Sequence, residues 1–233
     1  MNALYDGSFY GFLTALKYAL KNSQIISISK TPVLVDNIAI KTEYDDKWIS
    51  EKSDYIYQNL RILYLSEKKD FENLALSYIR HLSLRDFKDK GNILDQYVCE
   101  VERIKKQFFS EIHRFKGFTR FSKIDENTYL AIISPSNNII EFLLKHFEKR
   151  MQENFMIYDE KRKILGIKKD RKTKIINDIE INYIADEKEN EIRKLWKSFF
   201  KEIEIVERRN KSLQLKKVPL KYRKNIIEFN DKI

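Results

Sequence analysis

Residues 128–169 read TYLAIISPSNNIIEFLLKHFEKRMQENFMIYDEKRKILGIKK, and this stretch decides the fold that the sequence predicts. A helix is predicted from about Asn138 to Met151, where apolar residues recur at helical spacing. Strand-like runs lie on both sides of it, at 118–124, 128–134, 155–159 and 163–169. The order β-β-α-β-β predicts an α+β fold, in which several helices pack on a small antiparallel sheet.

Helices are also predicted on both sides of this core. A short strand at 4–6 precedes a helix that ends near Asn22, and residues 25–43 follow as extended segments. The further helices are predicted at 45–65, 70–86, 94–115 and 187–208, with a turn at 90–92. The amphipathic pattern of the last helix predicts the burial of Ile192, Leu195, Trp196, Phe199 and Ile203.

No repeat or linker rich in proline, glycine or serine divides the chain. We therefore expect an N-terminal segment, 1–70, to pack on a core domain, 71–233, in one compact unit with a basic C-terminal tail. No run approaches 18 apolar residues, and the N-terminus lacks a signal-peptide pattern, so we expect a cytoplasmic protein without membrane contact.

Charge favours a polyanionic partner. The 233 residues include 45 Lys and Arg against 35 Asp and Glu, which gives a net charge of +10. The segment 111–121, EIHRFKGFTRF, interleaves Arg114, Lys116 and Arg120 with aromatic rings. Such cations can neutralise phosphates while rings stack on bases, so this segment predicts contact with nucleic acid.

Further cations are expected to extend this surface. The candidate nucleic-acid-binding residues outside 111–121 are Arg150, Arg162, Arg208, Arg209, Lys216, Lys217 and Tyr222, the last as a stacking group. The alternative is that these charges form ordinary solvated faces, or that a cation at the end of a helix only complements the helix dipole.

Three residues are candidate acids or bases, namely His113, His146 and Asp159. On a helical wheel Arg150 falls inside the apolar stripe of the 138–151 helix, with His146 at its margin. A buried arginine needs a counter-charge. Asp159 is the obvious structural partner, and the alternative is a pocket in which Arg150 binds a phosphate or carboxylate.

No cofactor or metal site is predicted. The one cysteine, Cys99, excludes an internal disulfide or a self-contained cysteine-ligated cluster, and its pattern predicts a small core residue. The three histidines lack ligand spacing, and phosphate-loop and nucleophile-elbow motifs are missing. Ser8 precedes a predicted helix and is interpreted as its N-cap instead of a nucleophile.

Several motifs together resemble a bacterial family known as probable DNA-metabolism proteins. The matching segments are Tyr5-Asp6-Gly7-Ser8-Phe9, His113-Arg114-Phe115-Lys116-Gly117-Phe118, Ala131-Ile132-Ile133-Ser134-Pro135, His146-Phe147-Glu148-Lys149-Arg150, Ile157-Tyr158-Asp159-Glu160-Lys161-Arg162, Leu195-Trp196-Lys197-Ser198-Phe199-Phe200 and Glu207-Arg208-Arg209-Asn210. Members are associated with a radical SAM protein of DNA repair or modification, and some are fused to a uracil-DNA-glycosylase-like domain. The resemblance implies DNA and one of these proteins as partners.

Three hypotheses follow. The first is a DNA-binding accessory protein of a repair or base-modification pathway that acts with a radical SAM partner. The second is an enzyme that acts directly on damaged or modified nucleotides through His113, His146 or Asp159. The third is a basic scaffold that binds an acidic protein.

Overall fold

A computed structural model of the chain describes residues 1–84, 95–183 and 187–229. They form two compact units, Met1–Ser110 and Glu111–Ile233. The expected N-terminal segment, 1–70, and core domain, 71–233, stay a prediction. The turn expected at 90–92 lies outside the described residues.

Unit 1 combines a small sheet with helices. Its strands are β1 (Asn2–Leu4), β2 (Ser27–Ser29) and β3 (Asn37–Ala39), and β1 lies between the other two and parallel to both. Its helices are α1 (Phe9–Lys21), α2 (Lys47–Ser50), α3 (Asp54–Ser66) and α4 (Phe71–Ser83), followed by α5 (Gln96–Phe118), which continues into unit 2.

Local sequence explains the helices of unit 1. Ser8 caps α1 by accepting a hydrogen bond from the Gly11 N–H, so its predicted N-cap role is confirmed. The inward faces of α1 and α4 bury rings and aliphatic side chains such as Phe12, Leu16 and Ile79. Cys99 is exposed on α5, so the prediction of a core cysteine was wrong.

Unit 2 contains a five-stranded sheet in the order β4-β5-β6-β7-β8. The strands are β4 (Ser122–Asp125), β5 (Thr128–Ile133), β6 (Asn154–Asp159), β7 (Ile164–Lys169) and β8 (Lys172–Ile176). The helix α6 (Ile140–Glu148) connects β5 to β6 and packs on β7, where Gly166 is needed because a Cβ atom would lie 2.7 Å from Leu144 Cδ1. The predicted β-β-α-β-β order is thus present, with β8 added.

The prediction of an antiparallel sheet was wrong. Strands β5 and β6 pair in parallel, from Thr128 with Asn154 to Ile133 with Asp159, while the other pairs of this sheet are antiparallel. The reason is the helical crossover, because α6 returns the chain to the end of the sheet at which β5 began. The sheet is therefore mixed, and the sheet of unit 1 is parallel.

The C-terminal part of unit 2 is helical. It contains α7 (Glu187–Glu202), a 3-10 turn at Val206–Arg208, α8 (Lys211–Lys217) and 3-10 turns at Leu220–Asn225 and Ile227–Phe229. The five apolar side chains predicted to be buried by α7 are instead exposed by 40 to 70%. The amphipathic pattern was interpreted correctly as a helix, but its apolar stripe lies at the surface.

Candidate nucleic-acid interface

The loop 134–139 lies at the edge of the sheet where the parallel strands β5 and β6 both end. The turn after β6 meets it there, since the Glu160 N–H donates to the Ile133 carbonyl at 3.1 Å and Ser134 hydrogen-bonds the Glu160 carboxylate. The carboxyl ends of parallel strands are a common place for ligand sites. Three groups of side chains converge on this loop.

Asp159 pairs with Arg162. The sequence analysis had named Arg150 as its partner, and that pairing was wrong. The Asp159 side chain is completely buried, and its Oδ2 lies 2.8 Å from Arg162 Nη1. The guanidinium also donates to the carbonyls of Pro135 and Ser136. Burial raises the pKa of Asp159, while the hydrogen bonds and charge of Arg162 oppose that rise. This pair fixes loop 134–139 to the β6–β7 turn, so neither side chain faces solvent as an acid, a base or a phosphate contact.

A second buried carboxylate, Glu111, holds the same loop from α5. It accepts hydrogen bonds from the backbone N–H groups of Ser136 at 2.8 Å and Asn137 at 2.9 Å, and from the hydroxyl of Tyr222. Tyr222 is 6% exposed and its ring packs edge-on against Phe115 at 5.1 Å. The ring is thus part of the interior and is not presented to a base.

The C-terminal segment completes this network. Lys221 donates to the Ser136 hydroxyl and Lys224 forms a salt bridge with Glu160, both at 2.8 Å. The Asn225 side chain donates to Ser134 and Glu160. Segments that the sequence places far apart therefore meet at loop 134–139. Sequence reasoning missed Glu111, although its place between Phe108, Ile112 and Phe115 on the apolar side of α5 was a signal.

The charges of two predicted cations, Lys116 and Arg150, both act on His146, and we call these three residues the Lys116 cluster. Burial, followed by the charges of Lys116 and Arg150, holds the pKa of His146 below its ordinary value. Both cations are exposed, and neither forms a salt bridge in the part of the chain that the structure describes. His113 is exposed on α5, one turn before Lys116, and Arg114 is half-buried beside it.

Arg150 is exposed because α6 ends at Glu148, so the residue lies beyond the helix and outside its apolar stripe. The segment that follows Arg150 is held by Lys168, which is 4% exposed. The Lys168 ammonium donates to the carbonyls of Met151, Gln152 and Glu153 at 2.7 to 3.0 Å. Sequence reasoning did not single out Lys168. The alternation along β7 was the signal, because it places Lys168 on the same face as the buried Gly166.

The remaining predicted cations are not among the charges that act on His146. Arg120 forms a salt bridge with the buried carboxylate of Glu228 at 2.7 Å. Arg208, Arg209, Lys216 and Lys217 are all exposed, and Arg209 pairs with Glu204. On the N-terminal part of α5, Arg103 pairs with Glu100, so the charge of Arg103 is neutralised there.

No metal site or membrane span is identified in the described ranges. Within 1–84, 95–183 and 187–229, no group of three or more histidine, cysteine, aspartate or glutamate side chains is placed to hold a metal ion. Over the same residues, no helix has the length and apolar composition needed to cross a bilayer.

The chain matches one protein family over most of its length. Residues 51–228 match a family described as a domain of unknown function, DUF4130. No curated protein and no solved structure matches the chain. The matched range contains the Lys116 cluster, the Asp159–Arg162 pair and the C-terminal helices. Because the match covers far more than half of the 233 residues, the chain belongs to the family of the DUF4130 domain.

Proposed function

We propose that this protein binds DNA as an accessory protein of a repair or base-modification pathway and acts with a radical SAM partner. The observation that carries the proposal is the Lys116 cluster. Two exposed cations from different segments act electrostatically on one histidine, and neither forms a salt bridge among the described residues. Keeping like charges together costs free energy that a bound phosphate recovers.

Charge on the whole chain supports the same partner. The net charge of +10 favours association with a polyanion, and the cations lie on several segments instead of on one recognition helix. Contacts of this kind are made to the phosphate backbone and carry little sequence information. We therefore expect binding to be electrostatic and tolerant of sequence.

The accessory role is favoured because one catalytic candidate, Asp159, is inaccessible to a substrate. Asp159 is buried and held by Arg162, so a substrate does not reach it without disrupting the pair. The radical SAM protein, or a uracil-DNA-glycosylase-like protein, is proposed as partner from the resemblance of the motifs, in particular His113–Phe118 and Ile157–Arg162.

The double substitution Lys116→Ala with Arg150→Ala tests the proposal. We expect it to weaken DNA binding and to flatten the slope of log affinity against log salt by roughly two units, about one per phosphate contact. The measurement is fluorescence anisotropy with a labelled DNA duplex over a series of salt concentrations.

A matched control is Lys145→Ala with Lys163→Ala. It removes the same charge from unit 2, but both lysines already pair with carboxylates, Glu141 and Glu180. We expect a slope close to that of the wild type. Equal slopes in the two double variants would show that only net charge matters and that the cluster is not a contact.

His146 should couple DNA binding to pH. In the free protein, burial and the charges of Lys116 and Arg150 depress the pKa of His146 and so favour its neutral form. A phosphate placed between Lys116 and Arg150 would favour the imidazolium and raise that pKa. Binding then takes up a proton, and affinity should rise as pH falls from 8 to 5.5, by about tenfold for each pKa unit gained. His146→Gln should lose this part of the pH dependence, while parallel curves would contradict it.

The enzyme hypothesis keeps one favourable observation, which is that burial and the charges of Lys116 and Arg150 lower the pKa of His146 and so favour the neutral imidazole, the form that can accept a proton. Incubation of the pure protein with a panel of oligonucleotides that carry damaged or modified bases tests this alternative. Turnover that disappears in His146→Gln would favour the enzyme, and intact oligonucleotides would favour the accessory role. The third hypothesis, a scaffold for an acidic protein, requires that DNA binding is absent.

A further inference from the structure

We propose that a groove along α7 holds single-stranded DNA, with an unpaired base between Trp196 and Phe121 and the neighbouring phosphates at Lys201, Arg208 and Lys211. The inference rests on the proposed DNA binding and names the form of DNA that this second surface accepts. It uses none of the residues of the Lys116 cluster.

The first half of the groove is a cavity of about 490 Å³ with aromatic and aliphatic walls. Phe121 and Trp196 line it together with Ile192. The Phe121 ring is held in place by edge-on contacts with Phe147 at 4.9 Å and Phe155 at 5.6 Å. Its volume lies in the roughly 300–1,000 Å³ range of small-ligand sites. A rigid ring and a partly exposed indole in the walls of one cavity are suited to stacking on a planar base.

Two arginines line the same cavity, and each is held by a carboxylate. Arg120 binds Glu228 at 2.7 Å, and Arg193 binds Glu189 at 2.9 Å and the Ser122 hydroxyl at 2.8 Å. The guanidinium planes are therefore fixed before any ligand arrives. Fixed planes of this kind stack on bases at little entropic cost, whereas a free arginine would have to be ordered first.

The second half of the groove is a cleft of about 420 Å³ at the end of α7, and it is cationic. Of the four cations that line it, Arg209 is engaged by Glu204. The other three, Lys201, Arg208 and Lys211, form no salt bridge within the described ranges. Lys201 follows Trp196 by five residues, about 7.5 Å along the helix axis, which is the scale of one nucleotide.

Single-stranded DNA is favoured over the other occupants by the combination of rings and unpaired cations. In a duplex the bases are stacked on each other, so the exposed rings of Trp196 and Phe199, 5.8 Å apart, would be left without contacts. A protein partner would use the apolar stripe but would need carboxylates to match the three cations. A single strand supplies both a base and phosphates.

Anisotropy with a labelled oligo(dT) and with a hairpin duplex of equal length tests the inference. Trp196→Ala should weaken oligo(dT) binding by about tenfold or more, because stacking on one base is worth about 1–3 kcal/mol. Trp196→Phe, which keeps a ring, should retain most of the affinity. Duplex binding should change little in either variant.

Leu195→Ala is the matched control, because Leu195 is also apolar and 70% exposed on α7 but does not line the cavity. It should leave oligo(dT) binding unchanged. If Trp196→Ala and Leu195→Ala bind oligo(dT) like the wild type, the groove inference is wrong while the proposed DNA binding stands. If Trp196→Ala fails to fold, Trp196→Phe decides the test. A tenfold loss of oligo(dT) binding in Trp196→Phe would also overturn the groove inference. A wild-type protein that binds neither DNA would overturn both proposals.

Discussion

Replacing Arg162 with alanine should lower the free energy of unfolding by about 3–5 kcal/mol, the usual cost of leaving a buried charge without its partner. The substitution leaves the Asp159 carboxylate at 0% exposure without its guanidinium. It also removes the donors to the carbonyls of Pro135 and Ser136. Urea denaturation followed by circular dichroism measures the loss.

Arg150→Ala is the matched control, since Arg150 is an exposed arginine of the same unit. Its free energy of unfolding should stay within about 0.5 kcal/mol of the wild type. The double variant Asp159→Ala with Arg162→Ala should be more stable than Arg162→Ala alone, because no charge is then stranded. Equal losses for Arg150→Ala and Arg162→Ala would contradict the pairing described above.

Glu111→Ala should cost about 3 kcal/mol or more. The carboxylate accepts from the N–H groups of Ser136 and Asn137 and from the Tyr222 hydroxyl, and these donors lie around a side chain that is buried. Each buried donor left without an acceptor costs about 1–3 kcal/mol. The same denaturation experiment applies.

Tyr222→Phe provides the comparison for Glu111→Ala, because it removes one donor and leaves the carboxylate bound to the loop. We expect a loss of about 1 kcal/mol. A loss in Tyr222→Phe as large as in Glu111→Ala would show that the C-terminal segment, and not loop 134–139, depends on this carboxylate.

Local patterns in the sequence predicted most elements but not their pairing. The spacing of Phe9, Phe12 and Leu16 predicted α1, and the run 128–134 predicted β5 almost to its ends. Periodicity depends on neighbours along the chain, and these elements are formed by such neighbours. The direction in which β6 pairs with β5 depends instead on the crossover, which is a property of the whole β5–α6–β6 unit.

The partner of Asp159 shows why the site was harder to predict than the fold. A helical wheel extended α6 to Met151 and so placed Arg150 among apolar residues, whereas the helix ends at Glu148. Arg162 lies three residues after Asp159, and the turn between them brings the side chains together. Which arginine reaches a buried carboxylate is decided by where a helix ends and how a turn folds, and the sequence gives both only to within a few residues.

The apolar stripe of α7 marks a second limit. Its spacing was recognised from the sequence, yet spacing shows only that a stripe exists and not what covers it. Trp196 and Phe199 are 40% and 54% exposed. The pattern therefore located a surface that the prediction had placed in the core.

The lysines of β8 have a consequence for solubility. β8 is the last strand of its sheet, and Lys172 and Lys174 are exposed along it. An edge strand offers unpaired backbone groups that can recruit a strand from another molecule, and lysines on such an edge oppose that contact by repulsion and by the cost of desolvating the ammonium groups. Lys172 and Lys174 thus protect the sheet from aggregation through its open edge.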